Sequence, residues 1–514
     1  MNKSLKIPLI ILAILVLLYI TIKFGTEWYI SSQLTKKINQ DNQLFQVKIE
    51  NTRFHLYNLS LDLYGISLEA VDKSNSSISG SIAHLDLGSL SLTNFIFNEV
   101  IETEAIIITQ PDLNFYLKKT ENKSKSESSA GMFSQNVFDK INVNNIELRQ
   151  ADFDLSGSMK GNLKMHSFSI ENIVLDSASV AGKIPFNYDS ALVKIDSLSL
   201  QPDSLYRLST GKVRLARNQL KISDFQYQPQ FSKNDYASVF PQRKPMYDVF
   251  IDSLTLDSLH WKLPQGQPMQ FVVGMLDMDS LNLQMYIDKR VPRDADKKRP
   301  MPSQALKEAP FILTINQIQT ERSKFLYQIK PEKATETADL FFNGLSMNAS
   351  NITNDSSLLK SNPQASFNFD AMFMGTGNLQ ASFTFNLVRQ DYPFTAKGNL
   401  QPINFRALDQ LLAPLMSMEV NGDLNNFTYD FSGNNEEASG TVDMAYENMQ
   451  LNFEEKPGES APFLQLLSSL IVKNNLQKNN SSHAEVSFTK EEERSFFYYW
   501  WSGIRKGVRK TVLP

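Results

Sequence analysis

The sequence predicts a mainly β protein, carried on one N-terminal transmembrane helix and completed by a few short amphipathic helices. Three observations predict it. From about residue 45 to 453 apolar residues alternate with polar ones at period two, as strands with one apolar face require. One apolar run, Ile7 to Ile22, stands ahead of that region, and only two segments behind it turn to helical spacing. The chain has 514 residues, more than one compact core usually holds, so it forms either several domains or one elongated repetitive body. Apolar residues make up 42% and charged residues 21%, a balance that supports a buried core and excludes wholesale disorder.

The N-terminal run is flanked by Lys3 and Lys6 before it and Lys23 after it, with Trp28 and Tyr29 placed to sit at a membrane interface. Its roughly 16 residues span about 24 Å, slightly less than the hydrocarbon core, a gap that snorkelling lysines and Phe24 can close. The following Lys23-Phe24-Gly25-Thr26-Glu27-Trp28 lacks the small-x-small pattern of a signal-peptidase site, so residues 1–30 are expected to stay attached as an anchor. Lys3 and Lys6 on one side face Lys23, Lys36 and Lys37 on the other, so charge alone barely orients the helix.

In the body, Leu59, Leu61 and Leu63 alternate with Ser60 and Asp62. Leu281, Leu283 and Met285 alternate in the same way with Asn282 and Gln284. The clearest hairpin runs from Ser366 to Leu387. There Phe367, Phe369 and Phe373 are expected opposite Phe385, Phe383 and Leu379 around the turn Gly375-Thr376-Gly377, with Asn368 facing Thr384 and Asp370 facing Ser382. A weak repeat, Ile195-Asp196-Ser197-Leu198, Ile251-Asp252-Ser253-Leu254 and Met278-Asp279-Ser280-Leu281, fits a unit of two strands and their turns. Lys118 to Ala130 reads as a low-complexity linker, and Asp288 to Pro310 as a Pro-rich, charged, solvated loop. The helical stripes are Leu408, Leu411, Leu412, Leu415 and Met416, with Pro414 bending the helix, and Phe463, Leu466, Leu467, Leu470 and Ile471. The tail places Phe496-Phe497-Tyr498-Tyr499-Trp500-Trp501 before Arg505, Lys506, Arg509 and Lys510. Two accounts fit that tail: an interfacial segment resting on a membrane through Trp500, Trp501, Arg505 and Lys506, or a last element packing its rings on the body.

Several classes of chemistry find no support. Zero cysteines exclude disulfide scaffolds, thiolate metal sites and cysteine nucleophiles. The five histidines are scattered without ligand spacing, and there is no G-x-S-x-G elbow, H-E-x-x-H or Walker loop. The net charge of −4 gives no long-range attraction to phosphate polymers, so nucleic acid is not an expected partner. No cofactor, metal or enzymatic activity is expected.

Three stretches resemble the AsmA-like family of bacterial envelope proteins, related to TamB and more remotely to the bridge-like lipid-transfer proteins. Asn51 to Leu68 (NTRFHLYNLSLDLYGISL) and Ala83 to Lys118, with its phrase Thr109-Gln110-Pro111-Asp112-Leu113, resemble the family's N-terminal strands. Ala396 to Phe453, with a Leu-rich helix between strands, a G-D-L strand and Gly440, resembles its late repeat. The region from about 150 to 340 departs into short D-S-L strands. The resemblance implies an elongated, curved antiparallel sheet forming an apolar groove, held in the inner membrane with the N-terminus cytoplasmic and the body in the periplasm. It also implies a role in outer-membrane biogenesis or phospholipid movement.

With it, the chain divides into an anchor (1–30), N-terminal AsmA-like strands (31–118), a linker (119–131), a β-groove body (132–395), a C-terminal repeat (396–455) and a tail (456–514). A one-sided apolar sheet must be covered, and two or three amphipathic helices are too few to roof it, so acyl chains are the expected cover. Leu254, Leu256, Leu281, Leu283, Met285, Phe367, Phe369, Phe383 and Phe385 are the expected lipid contacts. Expected partners are phospholipids or other acyl-chain lipids, the inner membrane, and outer-membrane or envelope proteins. The alternative is a non-enzymatic scaffold or assembly factor for outer-membrane proteins, whose sheet packs on itself.

Overall fold

The computed structural model describes residues 3–40, 44–72, 76–91, 94, 100–118, 140–175, 189–262, 267–294, 297–453 and 482–512, with 3–15, 30, 33, 34, 37, 101, 140 and 141 by backbone alone. The protein is mainly β, with 62% in strand and few short helices. It divides into two compact units, Met1–Ile222 with Leu263–Gln267, and Ser223–Lys262 with Pro268–Pro514. The stripe Phe463 to Ile471 and the linker 119–131 lie outside the described residues.

The first unit opens with a helix, Lys3–Trp28, of 26 residues. Its side chains are described from Val16 on, and Val16, Leu17, Leu18, Tyr19, Ile20, Phe24 and Trp28 are exposed. Among the described residues no helix is long and apolar enough to cross a membrane. The helix is fixed to the sheet near its end: Thr26 is buried, and Glu27 accepts a hydrogen bond from the backbone of Phe54 at 2.9 Å.

The strands that follow are β1 (Phe45–His55), β2 (Ser60–Ala70), β3 (Ser77–Gly88), β4 (Val100–Leu117), β5 (Lys140–Gly157), β6 (Lys160–Leu175), β7 (Ser190–Gln201), β8 (Tyr206–Thr210), β9 (Val213–Ala216) and β10 (Gln219–Pro229). β1 to β4 pair antiparallel in order, as do β5 to β7. β7 also pairs with β8 and β9, and β9 with the start of β10.

β4 and β5 pair parallel, not antiparallel as expected. Parallel neighbours need a long crossover, and the polar stretch from Lys118 onward is the connection that supplies it. The second unit repeats the arrangement. There β11 (Met246–Asp257) and β12 (His260–Lys262) pair antiparallel with β13 (Gln270–Asp288), which runs parallel to β14 (Ile312–Lys330) across the Pro-rich segment. Both polar interruptions are therefore crossovers. The second is not simply solvated. Val291 and Met301 are buried within it, Pro302–Lys307 is helical, and the Lys490 ammonium donates to the Arg299 carbonyl at 2.9 Å.

A line of ladder interruptions crosses the first unit. Pairing skips Glu50 and Gly65 between β1 and β2, Gly65 and Ala83 between β2 and β3, Ala83 and Gln110 between β3 and β4, and Gln150 and His166 between β5 and β6. Gly65, Gln110 and Gln150 are left-handed there, and the Gln110 side-chain amide donates to Gln150 Oε1 at 3.1 Å. A left-handed residue within a strand inserts one position and bends the strand. It also moves the apolar phase from even to odd numbers: Ile106 and Ile108 precede Gln110, while Leu113 and Phe115 follow it, alternating with exposed Asp112, Asn114 and Tyr116. In the second unit Ser280 and Arg322 take the same conformation at matching positions of β13 and β14, joined by an ion pair from Arg322 to Asp279. Two of the three D-S-L phrases meet at this bend, with Ile251 paired to Leu281 and Leu254 to Met278.

The second unit continues antiparallel through β15 (Ala338–Thr353), β16 (Gln364–Phe373), β17 (Gly377–Asn386), β18 (Phe394–Gln401), β19 (Ile403–Asn404), β20 (Met418–Gly433), β21 (Glu437–Phe453) and β22 (Ser482–Thr489), with β18 and β19 both pairing with β20. The β16–β17 hairpin is two positions from the expected register: Phe367 faces Phe383, Phe369 faces Ala381, Asn368 faces Ser382 and Phe373 faces Gly377. Met374 and Gly375, both left-handed, place the turn one residue earlier and draw Gly377 into the ladder. A two-residue shift preserves the face, so the expected ring pairs still meet diagonally, Phe367 with Phe385 at 5.9 Å and Phe369 with Phe383 at 6.0 Å. The Leu-rich stripe forms the helix Asp409–Met416 with Pro414 inside it, closed by left-handed Ser417.

At the end of β13 the Asp288 carboxylate is buried beside Arg290, whose Nε donates to both oxygens at 3.0 and 3.1 Å while its Nη2 donates at 2.6 Å. These bonds hold the carboxyl below its ordinary range. A folded-state pKa below the unfolded one contributes stability above about pH 4 that is lost as pH falls through the folded value. Asp288→Asn is therefore expected to lower the urea midpoint of this unit more at pH 7 than at pH 3; equal losses at both would contradict the assignment.

Candidate functional site

A broad, partly open apolar surface among the described residues lies on β4 to β7. Register stacks like positions into rows. Ile106, Ile146 and Ile170 form one; Ile108, Leu148, Phe168 and Val193 the next; Leu113, Phe153, Leu163 and Leu198 the third; Phe115, Leu155 and Leu200 the last. Apart from buried Ile170, all are half-buried. The most extensive helix packing on strands among the described residues falls on β1, β15 and β20 to β22. An aliphatic or aromatic side chain fully removed from water gains roughly 1.5–3 kcal/mol, so these rows leave a substantial part of that stabilisation to whatever covers them.

The opposite face of the same unit is polar. Asp62 receives His55 at 2.9 Å and His84 at 2.7 Å, Tyr64 stacks on His84 at 4.5 Å, and burial followed by the charge of Asp62 raises the Asp86 carboxyl above its ordinary range. Among the described residues no group of histidines and carboxylates is arranged to hold a metal ion.

In the second unit, an apolar face near the C-terminus is closed by the chain itself. The helix Phe496–Val512 lies on β21 and β22 and drives rings into the sheet. Phe496 sits 5.0 Å from both Phe385 and Phe394 and 6.0 Å from Phe383, while Trp500 lies 5.6 Å from both Phe383 and Tyr429. Gly503 and Gly507 allow the approach: a Cβ at either would fall 2.5 Å from the Phe488 ring or 2.2 Å from Val442. Burial raises the Tyr429 and Tyr499 hydroxyls well above their ordinary range.

The expected lipid contacts thus separate into two environments. Phe383 and Phe385 are buried under the helix, and Phe367 and Phe369 pack at the margin of that core. Leu254, Leu256, Leu281, Leu283 and Met285 stay half-buried on β11 and β13, where Leu254 faces Met278, Leu256 faces Leu276, Leu283 faces Val249 and Met285 faces Tyr247. Of the expected interface residues, Trp28 is exposed, while Tyr29 packs on the core formed by β1 to β3. Trp500 points into the sheet and Trp501 outward; Arg505 lies over the Tyr498 ring, and the Lys506 ammonium donates to the Ser487 carbonyl. The β4–β7 rows are absent from the expected contacts. Their signal is in the sequence as Ile106-x-Ile108 and Leu113-x-Phe115, but the extra Gln110 between them breaks the alternation and hides that they share a face. No protein-family model matches the chain, and no curated protein does.

Proposed function

We propose that this is a non-enzymatic, membrane-anchored protein of the AsmA-like kind that binds acyl chains along the inner face of its sheet and passes phospholipid between membranes. The observation that carries the proposal is the set of half-buried apolar rows on β4 to β7. Acyl chains suit such rows because they are long, flexible and indifferent to the identity of each side chain. The bends at Gln110 and Gln150 favour a curved strand with its apolar side inward. The exposed apolar residues of the N-terminal helix from Val16 to Trp28 support anchoring, and the inner membrane with a periplasmic body is the location that follows from the resemblance.

A second function, a scaffold for envelope proteins, is favoured by the aromatic seam under the C-terminal helix, where the sheet is already covered. The two are separated by placing charge on the open rows. Leu148→Asp and Phe168→Asp, made together, are expected to reduce phospholipid retained on the full chain in mild detergent by about tenfold or more, read by mass spectrometry, with the circular dichroism spectrum unchanged. A folded variant that keeps its full lipid complement would overturn lipid binding at this face.

A further inference from the structure

We propose that the outward side of the C-terminal helix is a docking face for an anionic phospholipid surface. Helical geometry divides Phe496–Val512 into two sides. Phe496, Tyr499, Gly503, Ile504, Gly507, Thr511 and Val512 are buried against the sheet, leaving Phe497, Trp501, Arg505 and Arg509 as an exposed stripe at four-residue spacing. Phe497 is 63% exposed and Trp501 43%, unusual for rings in a helix whose other side is fully packed. The stripe runs about 18 Å, aromatic at one end and cationic at the other.

The charge on the helix has one sign. The helix contains no acidic residue. Among the carboxylates just before it, Glu491 pairs with Arg494 at 3.4 Å and Glu492 with Lys298 at 2.7 Å. Lys506 and Lys510 are directed to the edge of β22, where they donate to the carbonyls of Ser487 and Glu485. Arg505 stacks on Tyr498, and neither it nor Arg509 has a carboxylate partner among the described residues. The cationic field reaches further: burial first, then the charges of Arg243, Arg494 and Arg505, lower the Lys289 ammonium below its ordinary range.

A bilayer matches this arrangement in both parts. Indole and phenyl rings settle at headgroup depth, and guanidinium groups meet the phosphates beside them. A protein partner would have to offer acidic groups opposite both arginines and an apolar seat for two rings on one straight line. The proposal stands whether or not the β4–β7 face carries lipid, and its test does not read transfer.

The full chain, inserted through its N-terminal helix into phosphatidylcholine vesicles and confirmed there by flotation, is mixed with a second, fluorescent vesicle population. Wild type is expected to capture vesicles containing phosphatidylglycerol about tenfold or more over pure phosphatidylcholine ones, with capture weakening as salt rises. Arg505→Glu with Arg509→Glu should abolish the preference. Phe497→Ser with Trp501→Ser should reduce capture several-fold while leaving the salt dependence. All four side chains are solvent-facing, so the thermal midpoint is expected to hold and serves as the folding control. Equal capture of neutral and anionic vesicles by wild type, or undiminished capture by the folded double-arginine variant, would overturn the proposal. Capture that depends on the arginines but not on the rings would reduce it to nonspecific charge and overturn it as well.

Discussion

Phe496→Ala is expected to destabilise the C-terminal unit by about 3–5 kcal/mol, the cost of emptying a large aromatic site in a closed core. Phe496 is 3% exposed and touches rings on three partners at once, Phe383, Phe385 and Phe394, so no single side chain can move in to fill its volume. It also holds the first turn of the helix that covers β21 and β22. The neighbouring Phe497 faces solvent, and Phe497→Ala is expected to cost under about 1 kcal/mol. Urea unfolding followed by tryptophan fluorescence reads both, because Trp500 lies in the same seam. Similar midpoints for the two variants would mean that the helix does not seal the sheet.

That pair of neighbours also shows what a linear sequence leaves open. Six aromatics in a row beside a basic cluster describe a membrane-interface helix and a core-packing helix equally well, since composition is the same for both. The structure divides the aromatics through periodicity: residues 100° apart fall on different sides, so Phe496, Tyr499 and Trp500 enter the core while Phe497 and Trp501 stay outside. Glycines at 503 and 507 mark the packed side, and their four-residue spacing was the available signal.

The strand content was legible because period-two alternation is a local property. Pairing direction was not, since a parallel neighbour depends on where the chain returns. Still, the two polar interruptions, from Lys118 and from Asp288, were of the length that parallel crossovers need. The β16–β17 hairpin illustrates the hierarchy of signals. Alternation set which face the phenylalanines share, whereas the register depended on whether Met374 would take a left-handed conformation, which nothing in its side chain favours. Likewise, Gln110 and Gln150 interrupt the alternation in β4 and β5 without any glycine to mark a bend. The β4–β7 face was therefore overlooked in favour of strands such as Leu281-x-Leu283-x-Met285, whose alternation is unbroken.

The sharpest contrast in the molecule is between Phe168, half-buried on the open rows, and Phe383, buried beneath the C-terminal helix. Both lie on apolar faces of long strands, and they differ in what covers them. At Phe383 the cover is Phe496 and Trp500 of the same chain. At Phe168 the paired neighbours are Leu148 and Val193, leaving part of the ring to water or to a ligand. A photo-reactive phenylalanine analogue at each position, in the full chain expressed in a Gram-negative host, distinguishes the two covers directly. Irradiation followed by mass spectrometry is expected to give a phospholipid adduct at position 168 and an adduct only within the chain at position 383. A folded protein that yields no lipid adduct at position 168 would contradict acyl-chain binding on the sheet.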